Sequence, residues 1–240
     1  MFRVAIVAAL EREVHSLVKD WSVNEKEIDG RRLRFFENED CVLICGGIGA
    51  EAARRAAEAA IAVYSPKVLY SVGFAGSLES RLKVADIVQP RRVVNAGDGS
   101  SISLDSGEGV LVSFGSVANA EQKVRLHDSY GAQAVDMEAA AVARAAEARG
   151  VDFAVVKAIS DESDFSFPAM DRFVDSNGEF LELRFACFVG VRPWLWPQVV
   201  RIARNSSRAS RALCGWLRKV TLESGAIGPG IHAVEEPQRR

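Results

Sequence analysis

Acidic residues that follow apolar segments are the side chains of this sequence best suited to chemistry. Asp136 and Glu138 bracket Met137 in "AVDMEAAAVA", and a run of alanines begins directly after them. Two carboxylates two residues apart share a face on a strand but point roughly 200° apart on a helix. We therefore expect this pair either at the end of a strand or in the first turn of a helix.

Two further acids occupy comparable positions. Glu13 follows the apolar run "VAIVAAL", and Asp161 follows "VVKAIS". All of these acids also have a purely structural explanation. Glu13 and Glu138 could be first-turn acids that a helix dipole favours, and Asp161 could be a turn or N-cap residue. Lys157 would be an ordinary strand lysine or a counter-ion to a nearby carboxylate.

The positions of the acids favour a shared pocket over these separate explanations. Carboxylates among apolar side chains suit a reaction with a proton transfer and a cationic transition state, such as the cleavage of a glycosidic bond. A carboxyl group whose pKa is raised by burial can donate a proton. An ionised carboxylate can activate water or stabilise a sugar cation.

Alternating strands and helices would position these acids. Buried apolar runs, alanine-rich helical segments and glycine turns follow one another and predict an α/β fold with a mostly parallel or mixed central sheet. Ligands bind beyond the carboxyl ends of the strands in such sheets. The acids fall at these ends, as do "GGIG" at 46–49 and "GFAG" at 73–76. A tight turn is the favoured explanation of either glycine motif, because neither matches a dinucleotide or P-loop fingerprint.

The bulk composition excludes several classes of protein. The chain has 240 residues and a net charge of −2, so no overall field attracts nucleic acid or a membrane. The cysteines (Cys41, Cys45, Cys187 and Cys214) lack metal-ligand spacing, and we expect reduced thiols, no metal site and a cytoplasmic location. The apolar run at the N-terminus is too short for a signal peptide or a membrane span.

Four motifs over roughly residues 2–165 resemble the nucleoside phosphorylase/nucleosidase superfamily, in the order of that family. They are "VAIVAALEREV", "GGIGAEAA" followed by "SVGFAGSL" and "VADIV", "VDMEAAAVA", and "KAISDESD". The resemblance is strongest to the methylthioadenosine/S-adenosylhomocysteine nucleosidase group. It implies a three-layer phosphorylase-like fold with a mixed central β-sheet flanked by helices, and it implies a purine nucleoside as substrate.

The resemblance also implies roles for individual residues. Glu13 would activate the attacking water, and Asp161, oriented by Ser160, would protonate the purine ring. Glu138 would bind a ribose hydroxyl, with Met137 packed against the sugar. Asp136 would face elsewhere as a structural residue. Other expected substrate contacts are Phe74, Ala75, Gly76, Val117 and Ala118.

Three positions depart from the family pattern. Lys157 stands where arginine is usual, which keeps the charge but loses the bidentate fork. Phe74 replaces a small hydroxyl residue, and Val117 and Ala118 occupy about the place of the aromatic that stacks on adenine. These differences leave the base and the 5′ substituent open.

The carboxyl third departs further from the nucleosidases. Seven basic residues and no acid lie between Arg192 and Lys219, and Leu213, Trp216, Leu217 and Val220 follow a helical spacing. This segment, 192–220, would be either a helix packed on the domain or a basic amphipathic helix on an anionic membrane surface. The second interpretation agrees with a resemblance to the hopanoid-associated branch of the superfamily, which acts on adenosylated lipid.

These observations together predict one α/β domain over residues 1–225 and a C-terminal tail over 226–240. The predicted activity is hydrolysis of the N-glycosidic bond of an adenine nucleoside, because a carboxylate at Glu13 would repel phosphate. The alternatives are phosphorolysis, with an adenosylated hopanoid lipid as one substrate, and nucleoside binding without catalysis. We expect no cofactor, apart from phosphate as co-substrate in the first alternative, no nucleic-acid partner, and a homodimer.

Overall fold

A computed structural model describes residues 3–165, 170–173, 175, 178 and 180–223 of the chain. Within these residues, eleven strands form a mixed sheet. The strands are β1 (Val4–Ala8), β2 (Ser22–Ile28), β3 (Arg31–Asn38), β4 (Cys41–Cys45), β5 (Val68–Ser77), β6 (Ile87–Val88), β7 (Arg92–Asn95), β8 (Ser101–Ser103), β9 (Val110–Ser113), β10 (Ala134–Asp136) and β11 (Asp152–Asp161). The helices are α1 (Glu11–Val18), α2 (Ala50–Tyr64), α3 (Ala120–Tyr130), α4 (Ala139–Glu147), α5 (Glu182–Gly190) and α6 (Trp196–Glu223).

The sheet is covered by helices on both faces, which gives three layers. Along β1, Val4, Ile6 and Ala8 pack in a cluster with α1 and α6, whereas Ala5 and Val7 pack with the alanines of α2 and α4. Because successive side chains of a strand point to opposite faces, the two helix pairs lie on opposite sides of the sheet. The predicted three-layer fold with a mixed central sheet is confirmed.

The central strand β5 changes partners along one of its edges. Its first residues pair in parallel with β1 up to Ser71, and Gly76 and Ser77 then pair antiparallel with β10. The other edge pairs in parallel with β11 from Val68 to Gly76. Residues 72–75 therefore have no partner on the first edge among the described strands, and the sheet opens there.

This course of β5 corrects one prediction. The glycine motif at 73–76 is not a turn between a strand and a helix, because β5 continues through it to Ser77. Pairing with β10 and β11 keeps these residues extended. The motif at 46–49 is the predicted tight turn before α2, with positive φ angles of 101° at Gly47 and 94° at Gly49.

The long helix α6 confirms the predicted helical spacing in the carboxyl third. Leu213 and Leu217 are fully buried against α1 and the sheet, and Trp216 packs beside them. Packing on the domain is thus confirmed for this half of the helix, while its arginines remain exposed on the outer face. The side chain of Val220 and the tail over 226–240 lie outside the described residues. No described helix has the length and apolar character that crossing a membrane requires.

Candidate active site

A cavity of about 210 Å³ occupies the opening beside β5. Its walls are formed by the ends of β5, β10 and β11, the first turns of α1 and α3, and the middle of α6. The structure brings every predicted site residue to this cavity: Glu13, Phe74, Ala75, Gly76, Val117, Ala118, Met137, Glu138, Ser160 and Asp161.

Helix α1 turns Glu13 toward the cavity. Glu13 lies on the same helical stripe as Val14, Leu17 and Val18, so it is buried rather than solvated. One carboxylate oxygen, Oε2, accepts a hydrogen bond from the backbone N–H of Leu10 at 3.4 Å. Burial, the largest cause, and the nearby carboxylate of Glu138 together raise the pKa of Glu13 to about 7 against the opposing charge of Lys157.

The acidic pair that brackets Met137 adopts both of the predicted positions. Asp136 ends β10, and Glu138 is the N-cap residue of α4. The Oε1 atom of Glu138 accepts a hydrogen bond from the backbone N–H of Gly49 at 2.8 Å, so the 46–49 turn fixes this side chain in the cavity wall. Burial raises the pKa of Glu138, although Lys157 opposes the shift.

Asp136 forms a buried ion pair with Lys157. The distance between Lys157 Nζ and Asp136 Oδ2 is 2.8 Å, and both side chains are almost fully buried. Asp136 also accepts hydrogen bonds from Ser113 Oγ and from the backbone N–H of Ala139. Burial by itself would lower the pKa of Lys157, but the carboxylates of Asp136, Glu138 and Glu13 outweigh it and raise the pKa.

At the opposite end of the cavity, Asp161 is the last residue of β11. Its Oδ1 atom accepts a hydrogen bond from Ser160 Oγ at 2.8 Å, and its Oδ2 atom is paired with Lys123 Nζ. Lys123 is 2% exposed and also donates to the backbone carbonyl of Glu162 at 2.6 Å. This end of the cavity therefore contains a carboxylate, a hydroxyl and an ammonium group.

Two glycines of β5 make room for the two ends of the site. A Cβ atom at Gly73 would lie 2.8 Å from Glu13 Oε2, and one at Gly76 would lie 2.8 Å from Asp161 Oδ2. The carboxylates of Glu13 and Asp161 thus lie over positions three residues apart on one strand. This spacing corresponds to about 10 Å along β5.

Several residues of the site were not predicted from the sequence. Lys123, Phe165, Ile202, Asn205 and Ser206 also line the cavity. A signal for Lys123 exists in the sequence, because Lys123, Leu126 and Tyr130 follow the i, i+3, i+7 spacing of the inner face of α3. Arg12 is exposed at the rim of the cavity, with its guanidinium 5.1 Å from the ring centroid of Phe180.

Comparison with known proteins defines the class of protein. A family model described as the phosphorylase superfamily matches residues 3–110 and 106–182, and the chain therefore belongs to this superfamily.

Particular relatives are nucleosidases. The chain is 25% identical to the 5′-methylthioadenosine/S-adenosylhomocysteine nucleosidase of Buchnera aphidicola over 199 residues, which cover 68% of this chain and 86% of that protein. It is also 25% identical to the Staphylococcus aureus nucleosidase of the same name over 208 residues, covering 69% and 91% of the two chains.

Solved structures share the fold. The Helicobacter pylori 5′-methylthioadenosine/S-adenosylhomocysteine nucleosidase, in complex with a pyrrolidin-3-ol compound, superposes with a TM-score of 0.70 at 18% identity, covering 92% of this chain and 98% of that one. The futalosine hydrolase of the same organism gives a TM-score of 0.69, with the same identity and coverage.

Proposed function

We propose that this protein hydrolyses the N-glycosidic bond of a purine nucleoside such as methylthioadenosine or S-adenosylhomocysteine. The observation that carries the proposal is the placement of Glu13 and Asp161 at opposite ends of one cavity, with Glu138 between β10 and α4. A sugar between the two ends would have a water-activating group on one side and a proton source for the base on the other. The nucleosidases among its relatives support the same reaction.

The charges around Lys157 support cleavage through a sugar cation. Three carboxylates, those of Glu13, Asp136 and Glu138, act on this single ammonium group. The surplus of carboxylates would stabilise the positive charge that an oxocarbenium-like transition state develops. Glu138 is proposed to accept a hydrogen bond from a ribose hydroxyl, and Met137 to pack on the sugar.

The state of Glu13 supports hydrolysis more than phosphorolysis. A group with a pKa of about 7 is well suited to accept a proton from water near neutral pH. Once ionised, Glu13 would repel a phosphate nucleophile, and the guanidinium of Arg12 lies over the ring of Phe180 at the rim of the cavity. Hydrolysis needs no cofactor.

The test is release of adenine from methylthioadenosine by the purified protein, with and without phosphate. Release that is independent of phosphate supports the proposal, and release that requires phosphate would establish the phosphorylase alternative. If the protein binds methylthioadenosine without releasing adenine under either condition, the binding-protein alternative holds.

Exposed apolar side chains of α5, of the loop after it and of the first residue of α6 (the tryptophan surface) favour a lipid-linked substrate as the second candidate. Leu183, Val191, Trp194 and Trp196 expose between 53% and 79% of their surface. Arg192 lies between two of them in the sequence and is half-buried, with its guanidinium over the ring of Phe188. Further along α6, Ile202, Asn205 and Ser206 line the cavity. We also propose that this tryptophan surface contacts an anionic membrane, where Trp side chains and arginines bind together.

Co-sedimentation with phosphatidylglycerol vesicles tests the membrane proposal, with phosphatidylcholine vesicles as the neutral comparison. The double variant W194A/W196A should lose binding to the anionic vesicles. The control V23A should keep it, because Val23 is an exposed apolar residue on β2, outside the tryptophan surface. Equal binding by both variants would contradict the proposal. The homodimer stays a prediction, and sedimentation velocity tests it.

A further inference from the structure

Both carboxylate oxygens of Asp161 serve as hydrogen-bond acceptors. Its Oδ1 atom accepts from Ser160 Oγ, and its Oδ2 atom accepts from Lys123 Nζ. An ionised carboxylate is an acceptor only, whereas an ammonium group carries three donors. In this arrangement the transferable protons of the base side of the cavity are on Lys123.

The surroundings of Lys123 hold the ammonium group in place. Its side chain is 2% exposed and runs over Gly76, where an added Cβ would lie 3.3 Å from Lys123 Cε. A buried ammonium group is stable only when it is paired, and Lys123 has both the carboxylate of Asp161 and the carbonyl of Glu162 as partners. The capping box of Asn119 and Gln122 fixes the turn of α3 from which Lys123 projects.

From this geometry we propose that Lys123 is the source of the proton that the leaving base receives, with Asp161 as the relay. The inference rests on the proposed function. As the C1′–N9 bond breaks, its electron pair stays with the base, Lys123 Nζ passes a proton to Asp161 Oδ2, and Asp161 passes this proton on to a ring nitrogen. Water adds to C1′ and loses its proton to Glu13. The neutral amine of Lys123 regains a proton from solvent after the base leaves.

The ion pair also matches the edge of one kind of base. Adenine presents the N7 acceptor beside the donor at N6, whereas guanine presents two acceptors, N7 and O6. A carboxylate that both accepts from the amino group and relays a proton to N7 fits the first pattern. The same carboxylate would repel O6 of a 6-oxopurine. The pair therefore favours adenine as the leaving base.

Two substitutions separate proton supply from a positioning effect. K123M removes the ammonium group at similar length, and K123R keeps a cation beside Asp161 that does not release a proton in proteins. R125M is the matched control, since Arg125 is on the same helix but is exposed and pairs with Glu121. Adenine release from methylthioadenosine gives kcat, and calorimetry with adenine reports whether the base side of the cavity is intact.

The expected result is a loss in kcat of roughly 10²–10⁴-fold for both K123M and K123R, the usual size of a general-acid effect. Adenine binding by K123R and kcat of R125M should stay near the wild-type values. Wild-type kcat in K123R would overturn the inference, because it would show that only the charge is needed; wild-type kcat in K123M would do the same. If K123M does not fold, K123R decides alone. Failure of the wild-type protein to cleave any adenine nucleoside would instead overturn the proposed function, and this inference with it.

Discussion

Glu13 shows how a residue acquires its chemistry from its neighbours. In the sequence it is one of two glutamates in the first turn of a helix, together with Glu11. The fold buries Glu13 next to Glu138 and leaves Glu11 half-exposed beside Arg34. The difference between the two residues is therefore electrostatic and depends on the packing of α1 against the sheet.

The raised pKa of Glu13 predicts the pH dependence of the reaction. A base must be ionised to accept a proton from water, so kcat/KM should rise with pH and level off above about 7. E13Q should abolish hydrolysis yet retain nucleoside binding, while E11Q should keep the wild-type rate and profile. Initial rates of adenine release between pH 5 and 9 measure this, and normal hydrolysis by E13Q would exclude the proposed role.

Asp161 carries the second prediction at this scale. D161N keeps the size of the side chain but removes the carboxylate, so it should lower kcat by roughly 10²–10⁴-fold with little change in KM. The control is D164N, since the side chain of Asp164 is 80% exposed and its ion pair with Arg201 is long, at 4.0 Å. A turnover number of D161N equal to that of the wild type would remove Asp161 from the reaction.

Single residues also show what could be predicted from the sequence. The placement of Glu13, Glu138 and Asp161 follows from the rule that ligands bind at the carboxyl ends of the strands. Lys123 was missed because its two partners, Asp161 and Glu162, are 38 and 39 residues away along the chain. A charged residue on an inner helical face becomes informative only when the partner that neutralises it is known.

At the scale of elements, β5 organises the site. It pairs with β1 and β10 on one edge, and the cavity opens between these two partners. The sequence suggested a glycine turn at 73–76 because glycine often ends strands. The actual reason for the glycines is space, since Gly73 and Gly76 face Glu13 and Asp161.

Gly76 provides the prediction for this element. In G76A the new methyl group would lie 2.8 Å from Asp161 Oδ2 and 3.3 Å from Lys123 Cε, so this pair must shift. We expect kcat to fall by about tenfold or more, because a displacement of about 1 Å at a reacting group is costly. Steady-state kinetics of adenine release measure the effect.

The matched control for G76A is G215A in α6. Nothing lies within 4 Å of a Cβ atom at Gly215, so this variant should keep its activity and gain roughly 0.5–1 kcal/mol in unfolding free energy. Thermal unfolding gives the stability of both variants. Full activity in G76A would show that the ion pair tolerates displacement.

At the scale of the whole molecule, the sequence predicted the layers but not the order of the strands. Apolar runs and alanine-rich segments identified β1, α2, α4 and β11, because burial on both faces leaves a clear pattern. The polar strand β2 was missed, since only alternate residues of it are partly buried. Partner exchange along β5 depends on contacts between distant segments, which no local pattern records.

Glu13 also links the catalytic site to global stability. Its pKa is about 7 in the folded protein against an ordinary value of 4.5, so the folded state binds more protons between these values. Stability should therefore fall as the pH rises through this window and stay lower above it. The unfolding free energy of E13Q should therefore exceed that of the wild type by an amount that grows with pH, to at most about 3 kcal/mol above pH 7.

Urea unfolding at pH 4.5 and pH 8 tests this linkage. The matched control is E121Q, because Glu121 is exposed on α3, and its unfolding free energy should follow the wild-type values at both pH values. If E13Q and the wild type differ by the same amount at both pH values, Glu13 does not titrate in this window.

The surplus of carboxylates around Lys157 has a consequence for selectivity between metabolites. Adenine nucleosides differ from adenine nucleotides by a phosphate group that carries negative charge. A nucleotide entering the cavity would bring this charge toward Glu13, Asp136 and Glu138, which already share one ammonium group. Coulomb repulsion in a buried site is several times stronger than in water. The acidic cluster would thus favour adenine nucleosides over adenine nucleotides.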